Sequence, residues 1–187
     1  QKQAAETRAR ISQDIHDDIS SGLTKISWMV ELMKSPKNKE TNADDGTLLD
    51  KINAYSKDTV SKLSEIIWST NPEQDTINGL LSFMRTHINK YLLDTNIEYT
   101  IDFPDIENDF PISPEIKRNL FLVLKESLHN AVKYSKAHHL KIGFSLIENQ
   151  YQLLVSDDGI GFEKGTLTGT GYGLSGMEKR MKAINGT

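Results

Sequence analysis

Apolar residues in the first third of the chain recur with a helical period. Ile11, Ile15, Ile19, Leu23, Ile26, Val30 and Met33 fall at steps of four, four, four, three, four and three, the repeat of a single helix face. This predicts one long helix over residues 1–34. The stretch Ser35–Gly46 is polar and carries Pro36, Asn38, Asn42 and Gly46, so it reads as a connection. A second stripe follows through Leu49, Ile52, Thr59, Leu63, Ile66 and Ile67. Two long helices joined by a short loop form an antiparallel hairpin. One hairpin leaves part of each stripe uncovered, and a second copy remedies this as a dimeric four-helix bundle.

Asn71–Pro72 ends the second helix, because the residue before proline disfavours the helical region. A third helix is expected over Thr76–Leu93, with Ile77, Leu80, Leu81, Met84, Ile88, Tyr91 and Leu92 on its apolar side. The period then changes. Ile97, Tyr99, Ile101 and Phe103 alternate with polar residues, the pattern of a half-buried strand. Ser113–Pro114 reads as an N-cap with proline at the first helical position. It opens a helix to about Tyr134, apolar at Ile116, Leu120, Val123, Leu124, Leu128 and Ala131. Alternation returns at Leu140–Leu146 and Tyr151–Val155, with Asn149 in the connection. A glycine-rich stretch, Asp158–Gly176, leads into a last helix from Leu174 to about Ile184. The reading is therefore an all-helical region, residues 1–71, followed by an α/β domain, residues 76–187.

Composition narrows the class. Apolar residues are 37% and charged residues 26%, polar for one compact globule but suited to long exposed helices that each bury one stripe. The net charge of -4 gives no electrostatic case for nucleic acid, and no basic patch supports one. No apolar run reaches the length of a membrane span, so no membrane contact is expected within this stretch. With no cysteine, disulfides and thiolate metal sites are excluded. A first residue of Gln1 and not Met suggests a piece of a longer protein, with room for a membrane sensor upstream.

Four groups of residues could carry chemistry. In Asp14-Ile15-His16-Asp17-Asp18-Ile19, His16 lies beside the apolar stripe, with Ser12, Gln13, Ile19 and Ser20 as its helical neighbours. An exposed imidazole beside carboxylates can act as a nucleophile, although taken alone it reads more simply as an ordinary surface histidine in a charged helix. Glu126, Asn130 and Lys133 sit at i, i+4 and i+7 on one helix. Together they offer a carboxylate, an amide oxygen and a positive charge to a hard cation and a phosphate; a solvated helix face explains them as simply. Asp157-Asp158-Gly159-Ile160-Gly161-Phe162 closes a strand. Its glycines permit close backbone approach, and an aspartate could accept a hydrogen bond from an exocyclic amine. Gly169-Thr170-Gly171-Tyr172-Gly173-Leu174 opens a helix, where free amides and the dipole favour an anion. Neither a Rossmann fingerprint nor a Walker-type loop is present.

The order of these groups distinguishes them from their separate alternatives. A histidine on a helical hairpin, an asparagine-bearing helix, an Asp-Gly strand end and a glycine-rich helix start together resemble the core of the sensor histidine kinases. His16-Asp17 is similar to the short two-helix subfamily that includes nitrate and membrane-fluidity sensors. The second half resembles the sandwich-like ATPase fold shared by gyrase B, HSP90 and MutL. The resemblance implies a homodimer that uses Mg²⁺ and ATP and passes phosphate to the receiver domain of a response regulator in the cytoplasm. It implies that His16 attacks the γ-phosphate, with Asp17 as base or orienting partner. Asn130 would ligate Mg²⁺ with help from Glu126, and Lys133 would face the phosphates. Asp157 would read the adenine amine, and Gly159 and Gly161 would shape the pocket. Gly171, Gly173 and Leu174 would form the lid hinge and the phosphate-facing helix start.

Two departures from the family pattern stand out. Five residues after the acceptor the subfamily often has glutamine or histidine, and here it is Ser21, which implies weak phosphatase action on the regulator. Asn185-Gly186 would ordinarily turn into two further strands, yet the sequence stops at Thr187, so the sheet is expected to be truncated. Two competing readings share the ATP fold. They are a dimeric adaptor that binds ATP without transferring phosphate and a serine kinase of the anti-sigma type.

Overall fold

The computed structural model describes residues 2–34, 45–147, 150–161 and 172–187. Before Ile19, side chains are described only for Glu6, Ala9, Gln13 and His16. The chain divides into two compact units, Gln1–Pro72 and Glu73–Thr187.

The first unit is a pair of packed helices, α1 (Lys2–Lys34) and α2 (Asp45–Thr70). Gly46 belongs to the first turn of α2 and not to the connection. The rest of the expected connection lies outside the described residues. The two helices approach closely at Gly22, where an added Cβ would stand 2.8 Å from the Thr59 hydroxyl. Thr59 is buried, and its Oγ1 donates to the Tyr55 carbonyl at 2.8 Å. Much of the stripe residue surface stays open within one chain. Leu23, Leu49, Leu63 and Ile67 are all exposed, as are Trp28 and Val60 beside them. No described helix is long and apolar enough to cross a membrane.

The second unit is a mixed sheet covered by helices. A short 3₁₀ turn, Pro72–Gln74, leads to α3 (Ile77–Leu92). Thr76 caps α3, its side chain accepting from the Gly79 N–H at 3.1 Å. Strand β1 (Glu98–Asp102) runs parallel to β2 (His139–Ile147), and β2 runs antiparallel to β3 (Gln150–Asp157), giving the order β1-β2-β3. The parallel pair needs a crossover, and α4 (Pro114–Asn130) supplies it. The register sets Tyr99 beside Leu140 and Ile142 beside Val155. The core combines Ile77, Leu80, Leu81, Met84 and Ile88 of α3 with Leu120, Phe121, Leu124 and Leu128 of α4. From the sheet it takes Leu140, Ile142 and Phe144. The last helix, α5 (Tyr172–Ala183), packs against α4. It ends in a Schellman turn with Asn185 left-handed, the Gly186 N–H donating to the Met181 carbonyl at 2.8 Å.

One side chain reverses its expected environment. Lys117 in the first turn of α4 is fully buried, and its Nζ lies 2.6 Å from Asp75 Oδ1 and 3.4 Å from the Gln74 carbonyl. A buried ammonium is tolerable only when paired and hydrogen-bonded. The pair ties α4 to the segment preceding α3.

Candidate functional site

On α1, Gln13, His16 and Ser20 are exposed and follow one another at helical steps of three and four. Ile19 beside them is half-buried. His16 thus sits on a solvent-facing polar strip. Ser21 is exposed next to that strip. The side chain of Asp17 lies outside the described residues.

The polar row of the second unit is built on α4. Ser113 caps the helix by accepting from the Ile116 N–H at 3.2 Å, and Pro114 occupies its start. The buried face of α4 is Lys117, Leu120, Phe121, Leu124 and Leu128. Glu126 and Asn130 therefore fall at its margin, half-buried, and Lys133 is exposed. The helix does not run regularly to Tyr134. It widens after Asn130 into a π turn, Ala131–Ser135, closed by Lys136 in the left-handed region at φ 56°. Within this turn Ser135 Oγ donates to the Ala131 carbonyl at 2.6 Å and accepts from the Ala137 N–H at 3.0 Å. Such π turns inside helices concentrate at functional positions.

That turn joins two of the sequence motifs. The Ser135 carbonyl accepts from the Ile160 N–H at 2.8 Å. Gly159 packs so closely on Ser135 that an added Cβ would collide with its carbonyl oxygen and its Cβ. Asp157, at the end of β3, is exposed, and its Oδ1 accepts from the Gly159 N–H at 3.0 Å. Gly161 adopts φ 64° in open space, a conformation that glycine takes without strain. The end of the Asn130 helix and the Asp157 turn are thus one assembly.

The opposite end of the row meets α5. The backbone of Gly173 leaves room only for the Glu126 carboxylate, which an added Cβ would strike. The Ser127 hydroxyl lies 3.4 Å from Met177 Sδ, and Leu174 is half-buried. Glu126 therefore borders the first turn of α5. Gly169, Thr170, Gly171 and Phe162 lie outside the described residues.

Tyr91 is a neighbour of the row that its apolar placement on α3 concealed. Its hydroxyl is 3.3 Å from His129 Nδ1, one residue before Asn130. Burial and then the Glu126 charge push the Tyr91 hydroxyl pKa up, against a smaller opposing effect of Lys133. Lys133 Nζ lies over the Tyr134 ring, which meets His129 in an edge-to-face arrangement.

A separate depression of about 330 Å³ is lined by Glu98, Thr100, His139, Lys141, Ser156 and Asp158 among others. It includes no residue of α4, and three carboxylates, Glu98, Asp157 and Asp158, line it. It is thus a poor place for a nucleotide, despite touching Asp157.

Comparison with known proteins matches two separate stretches of the chain. Residues 7–75 match the family model described as histidine kinase. Residues 115–187 match the model of the histidine kinase-, DNA gyrase B- and HSP90-like ATPases. The oxygen sensor histidine kinase NreB of Staphylococcus carnosus is 29% identical over 182 residues, covering 96% of this chain and 51% of that protein. The sensor histidine kinase LiaS of Bacillus subtilis is 27% identical over 192 residues, covering 97% of this chain and 49% of that protein. The chain spans about half the length of these two relatives. Among solved structures, the Acinetobacter baumannii histidine kinase AdeS superposes with a TM-score of 0.52 at 15% identity, over 89% of this chain and 86% of that one, and so shares the fold.

Proposed function

The chain belongs to the histidine kinases, and from that premise we propose that it is the phosphoryl-transferring core of a two-component sensor. His16 takes the γ-phosphoryl group of ATP and passes it to an aspartate of a response regulator's receiver domain. The observation that carries this reading is the pairing, in one chain, of an exposed His16 on a helical hairpin with the joined Asn130 and Asp157 assembly.

In the proposed reaction an imidazole nitrogen of His16 forms a bond to the γ-phosphorus. The bond from that phosphorus to the bridging oxygen breaks, and ADP leaves with the electron pair. Asp17 orients the ring or receives its proton. Asp157 accepts from the adenine amine, the backbone at Gly159 and Gly161 borders the base, and Lys133 faces the phosphates. Gly171, Gly173 and Leu174 form the hinge and helix start beside them. The protein's work is mainly positioning and charge neutralisation.

The donor set suits Mg²⁺. Asn130 offers an amide oxygen and Glu126 a carboxylate on successive turns, both half-buried. Among the described residues no group of three His, Asp or Glu could cage a metal. A hard cation in such a site takes one or two protein oxygens and completes its shell with phosphates and water. When bound, the ion would neutralise phosphate charge.

The exposed Trp28, Leu63 and Ile67 support a homodimer in which a second hairpin covers the stripes. Use of ATP supports a cytoplasmic location. Short, exposed Ser21 supports weak phosphatase activity toward the regulator. The reading is tested with ATP labelled at either phosphate. Label should enter the protein from the γ position and not from the α position; binding without any transfer would favour a silent adaptor.

A further inference from the structure

Two adjacent carboxylates end β3, and they face different partners. Asp157 Oδ1 takes the Gly159 N–H. Asp158 turns back to the start of β2: its Oδ1 accepts from the His138 and His139 N–H groups at 2.8 and 2.9 Å. Its Oδ2 lies 2.7 Å from His139 Nδ1, and its own N–H donates to the His139 carbonyl at 3.3 Å. The other ring nitrogen, Nε2, is 3.3 Å from Glu98 of β1. One imidazole on the central strand therefore links the start of β1 to the residue between Asp157 and Gly159.

We propose that Asp158 is a positioning residue for the nucleotide pocket, anchoring the Asp157–Gly159 turn to β2, and that protonated His139 tightens the anchor. The inference rests on the reading that Asp157 receives adenine. Asp158 touches no ligand in this scheme. It acts through its two neighbours, whose Cα positions it holds through four polar contacts.

The surroundings give the anchor a pH dependence. The depression around His139 is lined by Glu98, Tyr99 and Thr100 from β1, Lys141 from β2, and Ser156, Asp157 and Asp158 from β3 and its end. Glu98 and Asp158 contact the ring itself, while the Asp157 carboxylate and the Lys141 ammonium border the same depression. The Asp158 hydrogen bond, then its charge, then the weaker influence of Glu98 raise the His139 pKa above 6.5. The Asp158 carboxyl is held well below the usual range, first by the His139 N–H and then by its ring. Asp158 is thus charged throughout the neutral range, and His139 is the group that titrates. A base whose folded pKa is raised gives its full contribution below 6.5 and loses it as pH rises through the higher folded value. The neutral ring can still donate to Asp158, so the anchor weakens without disappearing.

The test is the dissociation constant of Mg-ADP for the whole chain at about pH 6 and about pH 8.5. The proteins compared are the wild type and the Asp158→Ala, Asp158→Asn, His139→Gln and Asp157→Asn variants. Asp158→Ala should weaken binding about tenfold. Asp158→Asn keeps the acceptor for both N–H groups and should restore most of that at about pH 8.5. Between the two pH values the wild type should lose about threefold more affinity than His139→Gln. That difference separates positioning from a general loss of stability. Wild-type affinity in Asp158→Ala, or an unchanged pH trend in His139→Gln, overturns the inference. If Asp157→Asn weakens binding while Asp158→Ala does not, only the anchor fails. If Asp157→Asn binds like wild type, the pocket reading itself fails and the anchor with it. Should Asp158→Ala not fold, Asp158→Asn and His139→Gln still decide through their pH trends.

Discussion

The backbone of Gly159 rests on Ser135, the last residue of the wide turn that follows Asn130. This contact and the Ile160 N–H to Ser135 carbonyl bond at 2.8 Å hold the proposed adenine and metal residues in one assembly. Gly159→Ala would drive a methyl group into backbone that cannot rotate away. Overpacking of this kind costs about 1–3 kcal/mol. The expected result is a lower Tm and nucleotide binding weakened by about tenfold, read by thermal unfolding and calorimetry. Unchanged binding would mean that the turn is free to move independently of Ser135.

Gly173→Ala should behave differently. The atom in the way is the end of the Glu126 side chain, which can swing aside. Alanine also favours a helix by up to about 1 kcal/mol over glycine. Thermal stability should therefore hold or rise, while Mg-ATP affinity falls severalfold because the carboxylate is displaced. Equal affinity in variant and wild type would remove Glu126 from the site.

The buried pair Lys117–Asp75, 2.6 Å apart with Lys117 fully buried, predicts non-additive stability. Asp75→Ala leaves an uncompensated buried charge and should cost about 3–5 kcal/mol. Lys117→Met should also destabilise. The double variant should recover much of the loss, as measured by denaturant unfolding in a double-mutant cycle. Additive losses would contradict the pairing.

His87 gives the second unit an acid limit. Burial, then the Lys125 and Lys90 charges, lower its pKa from 6.5 to about 4, and its Nε2 is buried without a hydrogen-bond partner. The unfolded chain binds the proton more readily than the folded one. Stability is therefore full above 6.5 and declines as pH falls toward about 4. His87→Leu should flatten that decline in Tm-against-pH curves; an identical slope would assign the acid sensitivity to other groups.

Much of the fold was legible because the core obeys simple periods. The alternation Tyr99, Ile101 and Leu140, Ile142, Phe144 gave strands that the structure pairs, and Ser113–Pro114 marked the start of α4. What escaped depends on contacts distant in sequence. The residues 131–135 have helical composition, and only the Ser135 hydroxyl and the later Ile160 N–H reveal the wider turn. Lys117 reads as solvated by type. Its place in the row Lys117, Leu120, Leu124, Leu128 was the available signal that it points inward. Asp158 and His139 are nineteen residues apart, and no local pattern pairs them. On the hairpin the stripes were visible, but one chain buries Met29, Thr59 and Trp68 and leaves Leu23 and Ile67 exposed. A pattern of apolar spacing cannot say which part of a stripe faces its own partner helix.

The most direct measurement is the chemistry of the label that γ-labelled Mg-ATP leaves on the protein. The account predicts label that is stable to alkali and lost in acid. His16→Gln should carry none while still binding nucleotide, and Asp157→Asn should lose both label and binding. Label that persists in His16→Gln, or that resists acid, would contradict the assignment of His16 as the acceptor.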